Sequence, residues 1–280
     1  MAYKDITLFV FSVAEDEPVL AIAEQLSPQE NPHMAAVLVQ LEPDPPVSPD
    51  GIIIGAIWGD IVEQFSRQFA AEIKALEKRC ALMDSDVEVR ALSVSSGLAA
   101  SAAVTQARHT DLSIMLRPRG VQMAEVRSRM FEALLFRSGR PVLLVPPEWK
   151  SAAAGRRIVI AWDGKREAVR ATADAMPLLR EADKVFVVTL DANPSAEGLG
   201  PEPGADIAIH LARHGLNLEV RRTQTRNGDE AAALIQTARD VDADLIVMGG
   251  FGHSRLGEMV FGGLTRSMLK ACPIPLFLSH

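Results

Sequence analysis

The strongest constraint on the fold of this chain is an internal repeat. The triplet Glu88-Val89-Arg90 recurs as Glu219-Val220-Arg221 at an offset of 131, and Pro141-Val142-Leu143-Leu144 matches Pro275-Leu276-Phe277-Leu278 at an offset of 134. A single match of this kind has little meaning, but a nearly constant offset over about 55 residues predicts two copies of one structural unit.

The two copies differ by an insertion in the first. Val39 to Glu42 matches Val188 to Asp191 at an offset of 149, so about 18 additional residues lie between Glu42 and Glu88. The insertion begins with several prolines and continues as the apolar run Gly51 to Trp58, for which we expect a buried or dimer-facing role, with a helix near Asp60 to Leu82.

A stretch rich in proline and small residues, 146–155, separates the copies. We therefore predict one domain over residues 1–148 and a second over residues 155–280. A length of 280 residues fits two domains of ordinary size.

Short apolar runs alternate with helical spacing in each copy. In the second copy the predicted strands are Ile158–Trp162, Val185–Leu190, Leu218–Thr223, Leu245–Met248 and Pro275–Leu278, and the predicted helices are 165–181, Asp229–Arg239 and Leu264–Lys270. This alternation predicts α/β domains, each with a mostly parallel, five-stranded, doubly wound sheet. Ligands of such sheets bind beyond the carboxyl ends of the strands.

A glycine-rich segment follows the buried strand Leu245–Met248. Glycines stand at positions 249, 252 and 262, before a predicted helix. Glycines there allow close backbone approach, and successive N–H groups together with the helix N-terminus favour a phosphate group. The alternative is a tight turn that binds no ligand.

Composition excludes several classes of protein. A net charge of -7 argues against a nucleic-acid binder, because no basic excess is available for phosphate contacts. The two cysteines, Cys80 and Cys272, rule out a disulfide scaffold and fit a reducing compartment. Apolar runs are too short for a membrane span and the N-terminus lacks a signal-peptide pattern, so we expect the cytoplasm.

The glycine segment resembles the nucleotide-binding motif of the universal stress protein family, G-x2-G-x9-G-[ST]. Gly249, Gly252 and Gly262 match the three glycines, whereas Gly263 stands where Ser or Thr is usual. Because both copies follow the family in strand order and length, the chain resembles a tandem member with two flavodoxin-like domains. The resemblance also implies that the last strands, near Pro141 to Val145 and Pro275 to Leu278, pair between the domains.

The resemblance further implies a binding site for ATP or a related adenine nucleotide, with or without Mg2+, in the second domain. Asp163 would contact the adenosine. The alternative interpretation of this residue is a helix N-cap. Val188 would flank the base, with Met248 nearby. The loop from Gly249 would hold the phosphates, and Thr265 could supply the missing hydroxyl. His253 and Arg255 could reach phosphate oxygens or could be solvated loop residues.

In the first copy the corresponding residues do not form this site. Phe11 replaces Asp163, Leu116 replaces Gly249 and Arg119 replaces Gly252. Pro118 removes a backbone donor from the loop. We therefore interpret the first domain as a nucleotide-free partner of the second.

Two other clusters have simpler interpretations. His210 and His214 have the spacing of zinc ligands but no evident third ligand, so a polar helix face is the preferred interpretation. Six arginines lie within 24 residues: Arg117, Arg119, Arg127, Arg129, Arg137 and Arg140. They could bind an anion or an acidic partner, but a solvated surface is the preferred interpretation.

The functional prediction is a stress-response regulator that binds adenine nucleotide and acts on a protein partner that the sequence does not identify. Binding would change the loop between Gly249 and Gly263, which requires different affinities for two conformations. The alternative is a nucleotide-free interaction protein, and a slow ATPase is a third possibility. No catalytic residue set is evident, no metal site is predicted, and we expect a homodimer.

Overall fold

The computed structural model describes residues 2–26, 32–45, 55–118, 120–151, 154–191, 202–225, 227–251 and 263–280, with side chains in the third range from Trp58 onward. Of the predicted residues, Arg119, Gly252, His253, Arg255 and Gly262 lie outside these ranges, as do the side chains of Ile52 to Ile57. In the described part of the chain, no helix is both long and apolar enough to cross a membrane.

The N-terminal half alternates strands with helices. In chain order its elements are β1 Asp5–Val10, α1 Glu17–Gln25, β2 His33–Leu41, α2 Gly55–Cys80, β3 Val87–Val94, α3 Ala99–Ala107, β4 Leu112–Leu116, α4 Ala124–Arg137 and β5 Val142–Val145.

The C-terminal half repeats this alternation. Its elements are β6 Arg157–Ala161, α5 Arg166–Asp174, α6 Met176–Glu181, β7 Lys184–Leu190, α7 Ala205–Arg213, β8 Leu218–Thr223, α8 Glu230–Asp240, β9 Leu245–Gly249, α9 Gly263–Ala271 and β10 Leu276–Ser279.

The strands form one ten-stranded sheet in the order β3-β2-β1-β4-β5-β10-β9-β6-β7-β8. Within each half all pairs are parallel, as the predicted doubly wound fold requires. The halves meet where β5 and β10 pair antiparallel, with Leu143 opposite Phe277. This is the pairing of last strands that the resemblance implied.

Helices cover both faces of the sheet. One face packs against α1, α2, α5, α6 and α7, and the other against α3, α4, α8 and α9. Alternate strand residues supply the two cores: Leu8 faces the first and Phe9 the second, and both are fully buried. Each core extends across the junction of the halves.

Two helices differ from their predicted bounds. The predicted helix 165–181 is divided at Ala175, because Pro177 lies in the first turn of α6 and cannot continue the hydrogen bonds of α5. The helix predicted for Asp60 to Leu82 begins earlier, at Gly55.

The predicted insertion lies between β2 and β3. There, 45 residues separate the strands, whereas 27 separate β7 from β8, a difference of 18. Most of the difference is the length of α2, which has 26 residues where α7 has 9.

Candidate functional site

A crevice is expected where β6 and β9 lie side by side. The chain leaves β6 for α5 on one face of the sheet and leaves β9 for α9 on the other face. Neighbouring strands whose connections diverge in this way open a ligand site at their carboxyl ends. Ala161 marks this end, with Val188 and Met248 as its partners on either side.

Val188 and Met248 occupy the sheet beneath this crevice. Their side chains are 0% and 3% exposed and pack in the core on the α8 and α9 face. The Val188 carbonyl accepts the N–H of Trp162 at 2.8 Å. They therefore define the floor of the candidate site, and their side chains are largely used in packing.

Asp163 follows β6 directly, and its side chain is 53% exposed. It is not the N-cap of α5, a position held by Lys165. Instead, its carboxylate accepts the Lys165 N–H at 3.0 Å in a local turn and lies 3.5 Å from the Lys165 Nζ. The N-cap alternative is therefore wrong, and the carboxylate stays accessible at the carboxyl end of the sheet.

Gly249 packs tightly against the first turn of α5. A Cβ at this position would lie 2.7 Å from the Ala168 nitrogen and from the carbonyl carbon of Glu167. Because these are backbone atoms, no side chain fits without moving the helix. Gly249 therefore has a structural function whether or not a nucleotide binds.

The beginning of the glycine segment is anchored on the N-terminal half. The Phe251 side chain is buried, with ring centroids 5.2 Å from Phe136 and 6.5 Å from Phe131 of α4. The adjacent Gly250 donates its N–H to the Ser279 carbonyl at 2.8 Å. The two halves thus share this part of the site.

Thr265 and Gly263 lie in the first turn of α9. Thr265 is buried, and its hydroxyl oxygen accepts the Phe251 N–H at 3.2 Å. Its oxygen thus fixes the start of the loop. Gly263 is exposed, and no described atom lies within 4 Å of the position of a Cβ. Gly252, His253, Arg255 and Gly262 lie outside the described residues, so their predicted contacts stay predictions.

Comparison with known proteins identifies the C-terminal half. Residues 155–280 match the sequence model of the universal stress protein family. The C-terminal half of the chain belongs to the universal stress protein family. None of the curated protein sequences gave a match.

Solved structures extend the likeness in fold to the whole chain. A universal stress protein from Archaeoglobus fulgidus is 13% identical, with a TM-score of 0.72 over 99% of this chain and 98% of its own. A functionally unknown protein from Pseudomonas aeruginosa is 14% identical, with a TM-score of 0.60 over 99% and 92%. A universal stress protein in complex with cAMP is 18% identical, with a TM-score of 0.34 over 45% and 97%. At these identities the likeness concerns the fold.

The N-terminal half differs from the C-terminal half at the equivalent crevice, between β1 and β4. There the Arg127 guanidinium lies over the Phe11 ring at 4.2 Å and forms two hydrogen bonds to the Asp16 carboxylate, at 2.7 and 2.9 Å. Asp16 also accepts the N–H groups of Phe11 and Ser12, at 2.7 and 3.1 Å. Backbone donors at the end of β1 are thus bonded within the protein, which favours the nucleotide-free interpretation.

The expectation that the arginine-rich segment is a solvated surface is wrong for two residues. Arg127 is 0% exposed, and Glu15 completes its pairing at 2.9 Å. Arg117 is 4% exposed and donates to the Cys272 carbonyl in the C-terminal half and to Glu148 at 3.4 Å. These pairs could not be predicted from the sequence, because their partners are distant along the chain.

The two cysteines are buried, which limits the reactivity of their thiols. Burial raises the pKa of both Cys80 and Cys272 to about 11, so the thiols stay protonated at neutral pH. The His210 and His214 rings meet edge to face at 4.9 Å between centroids. Over the described ranges, no group of three or more His, Cys, Asp or Glu residues is arranged to hold a metal ion.

Proposed function

We propose that the C-terminal universal stress protein domain binds ATP or a related adenine nucleotide at the carboxyl ends of β6 and β9. The main observation in support is the accessible carboxylate of Asp163 at the divergence of these two strands. In this proposal Asp163 accepts hydrogen bonds from the ribose or base. The backbone N–H groups of the glycine segment and of the first turn of α9 take the phosphates.

Binding would be communicated to the N-terminal half through Phe251. Because this residue lies within the glycine segment and packs against α4, a loop conformation selected by nucleotide changes the packing between the halves. A partner protein that recognises this surface would then respond to the nucleotide. The chain would act as a regulator, with no requirement for turnover.

The experiment is a calorimetric titration of nucleotide-stripped protein with ATP, accompanied by mass analysis of small molecules released on denaturation. We expect one saturable site per chain. Asp163→Ala should weaken binding tenfold or more, because hydrogen bonds to a charged group contribute about 1.5–3 kcal/mol. Asp60→Ala, at an exposed position of α2, is the matched control and should bind like the wild type.

A second variant tests the loop separately. Gly252→Val should abolish ATP binding while the circular dichroism spectrum and the melting temperature stay those of the wild type. Full affinity in this variant would contradict the assignment of the phosphates to the glycine segment.

A nucleotide-free interaction protein is the second candidate. Gly263 lacks a hydroxyl, and the Thr265 oxygen is already an acceptor for Phe251. Absence of retained nucleotide and of binding heat at several temperatures would favour this candidate. Partners would then be sought for the complete chain without added nucleotide.

A further inference from the structure

A second cleft lies at the junction of the two halves. Its volume is about 740 Å³, within the range of small-molecule sites. One wall comprises the residues that precede β1, β4 and β5, and the other comprises a face of α5 and α6. None of the residues that line it belongs to the proposed nucleotide site.

The two walls are fixed to each other by hydrogen bonds. The Tyr3 hydroxyl donates to the Asp174 carbonyl at 2.8 Å, joining the N-terminus to the end of α5. The Arg170 guanidinium donates to the Gly139 carbonyl at 3.3 Å, joining α5 to the turn before β5. The cleft is therefore preformed, and a ligand would not have to order it.

Positive charge dominates the cleft, although the chain as a whole carries a net charge of -7. Its cationic side chains are Lys4, Arg140, Arg170 and Arg180, and its acidic side chains are Asp111 and Asp174.

Both carboxylates already have partners. Asp111 accepts the backbone N–H of Lys4 at 2.8 Å and lies 3.6 Å from the Arg140 guanidinium. Asp174 accepts from the Nε of Arg170 at 2.8 Å. These contacts hold two arginines in place, and the four cationic and two acidic side chains of the lining have a formal charge sum of +2.

Arg180 distinguishes this cluster from an ordinary network of surface ion pairs. Within the described ranges it has no hydrogen bond or ion pair, although it lines the cleft beside the two paired arginines. The nonpolar surfaces of Pro141, Met176 and Pro177 complete the lining. An exposed guanidinium next to a nonpolar wall suits a ligand with an anionic end and an organic body.

We propose that this cleft binds a small organic phosphate that carries at least two negative charges. Guanidinium groups match phosphate oxygens in bidentate geometry, and several arginines around one cleft favour a multiply charged anion over a monovalent one. The nonpolar wall would hold the organic part of the ligand. The site would add a second ligand to a chain whose nucleotide site lies elsewhere.

The test is a calorimetric titration of the full chain with inorganic pyrophosphate at 0.15 M ionic strength. We expect saturable binding. Arg180→Gln should weaken it about tenfold, because it removes one charge-assisted contact without disturbing a described partner. Arg213→Gln, an exposed arginine of α7 on the same chain, removes the same charge and should leave the affinity unchanged.

Three results would overturn the proposal. The first is the absence of saturable binding in the wild type. The second is an equal loss in Arg180→Gln and Arg213→Gln, which would indicate a general charge effect. The third is a loss in Asp163→Ala with no loss in Arg180→Gln, which would assign the pyrophosphate to the nucleotide site. Because ATP affinity is measured on the same variants, failure of this proposal and failure of the nucleotide proposal are distinguishable.

Discussion

Gly263 stands where the resemblance to the universal stress protein motif predicts Ser or Thr. No described atom would meet a side chain there, and the residue opens α9. A hydroxyl could therefore be added without displacing described neighbours, at a helix N-terminus that favours anions.

We predict that Gly263→Ser strengthens ATP binding about three- to tenfold. One added hydrogen bond contributes roughly 0.5–1.5 kcal/mol. Gly59→Ser in α2, where a Cβ also meets no described atom, is the control and should not change affinity. Calorimetry decides the question, and an unchanged affinity in Gly263→Ser would show that a hydroxyl at this position does not reach the phosphates in the proposed site.

The raised pKa values of the two thiols predict that the protein loses stability at alkaline pH. Burial raises the pKa of Cys80 and of Cys272 from 9.0 to about 11. Between these values the unfolded chain has lost protons that the folded chain retains, so the free energy of unfolding falls as pH rises. The loss by pH 11 is on the order of 2 kcal/mol for each thiol.

Urea denaturation at pH 8, 9.5 and 10.5 measures how the free energy of unfolding changes with pH. In the double variant Cys80→Ala, Cys272→Ala the decline above pH 9 should be smaller than in the wild type. Burial also raises the pKa of Tyr3 well above 10.0, which leaves a residual decline at the highest pH. An identical slope in the variant and the wild type would show that the thiols are not the cause.

At the scale of elements, a buried ion pair joins Asp16, the N-cap residue of α1, to Arg127 of α4. Both side chains are 0% exposed, and each has several hydrogen bonds, so partners within the protein replace the water that both charges lose on burial. Removing one partner of such a pair leaves a buried charge without compensation.

We predict that Arg127→Ala lowers the free energy of unfolding by about 3–5 kcal/mol. The matched control is Arg129→Ala on the same helix. Arg129 is 52% exposed and lies 3.6 Å from Glu125, and its loss should cost less than about 0.5 kcal/mol. Urea denaturation of both variants gives the comparison, and similar small losses would contradict the role assigned to Arg127.

The order of the elements was predictable from the sequence because it depends on local patterns. Apolar runs and the repeat offsets located the strands, and Pro177 accounts for the break between α5 and α6. The long-range contacts at the N-terminal crevice and at the candidate site were not predictable. The partners Asp16 and Arg127 are 111 residues apart, and Phe251 packs on α4 of the other half.

The whole molecule is organised around the antiparallel pairing of β5 and β10. This pairing makes one sheet from two halves, and the buried cores on both faces continue across it. Arg117 and Phe251 add buried contacts between the halves. The edges of the sheet, β3 and β8, carry the repeated Glu-Val-Arg triplets, with ion pairs of 2.6 and 2.9 Å that discourage further strand pairing.

We predict that the two halves unfold in a single cooperative transition. Separation of either half would expose the sides of β5 and β10 and the apolar surface beside them, so a half-folded state is unfavourable. Differential scanning calorimetry should give a calorimetric enthalpy equal to the van't Hoff enthalpy. Two resolved transitions would show that the junction does not couple the halves.

Because residues 146–156 join the two halves into one chain, the molecule is also free of a constraint that applies to assemblies of identical chains. In a symmetric pair of identical chains every substitution occurs twice, so a change that closes the crevice of one chain also closes the crevice of the other. Here each half has its own sequence, so a substitution in one half is not repeated in the other. Phe11, Asp16 and Arg127 could close the crevice of one half while Asp163 kept an accessible carboxylate in the other. The fusion thus allows a division of labour between two crevices of common origin.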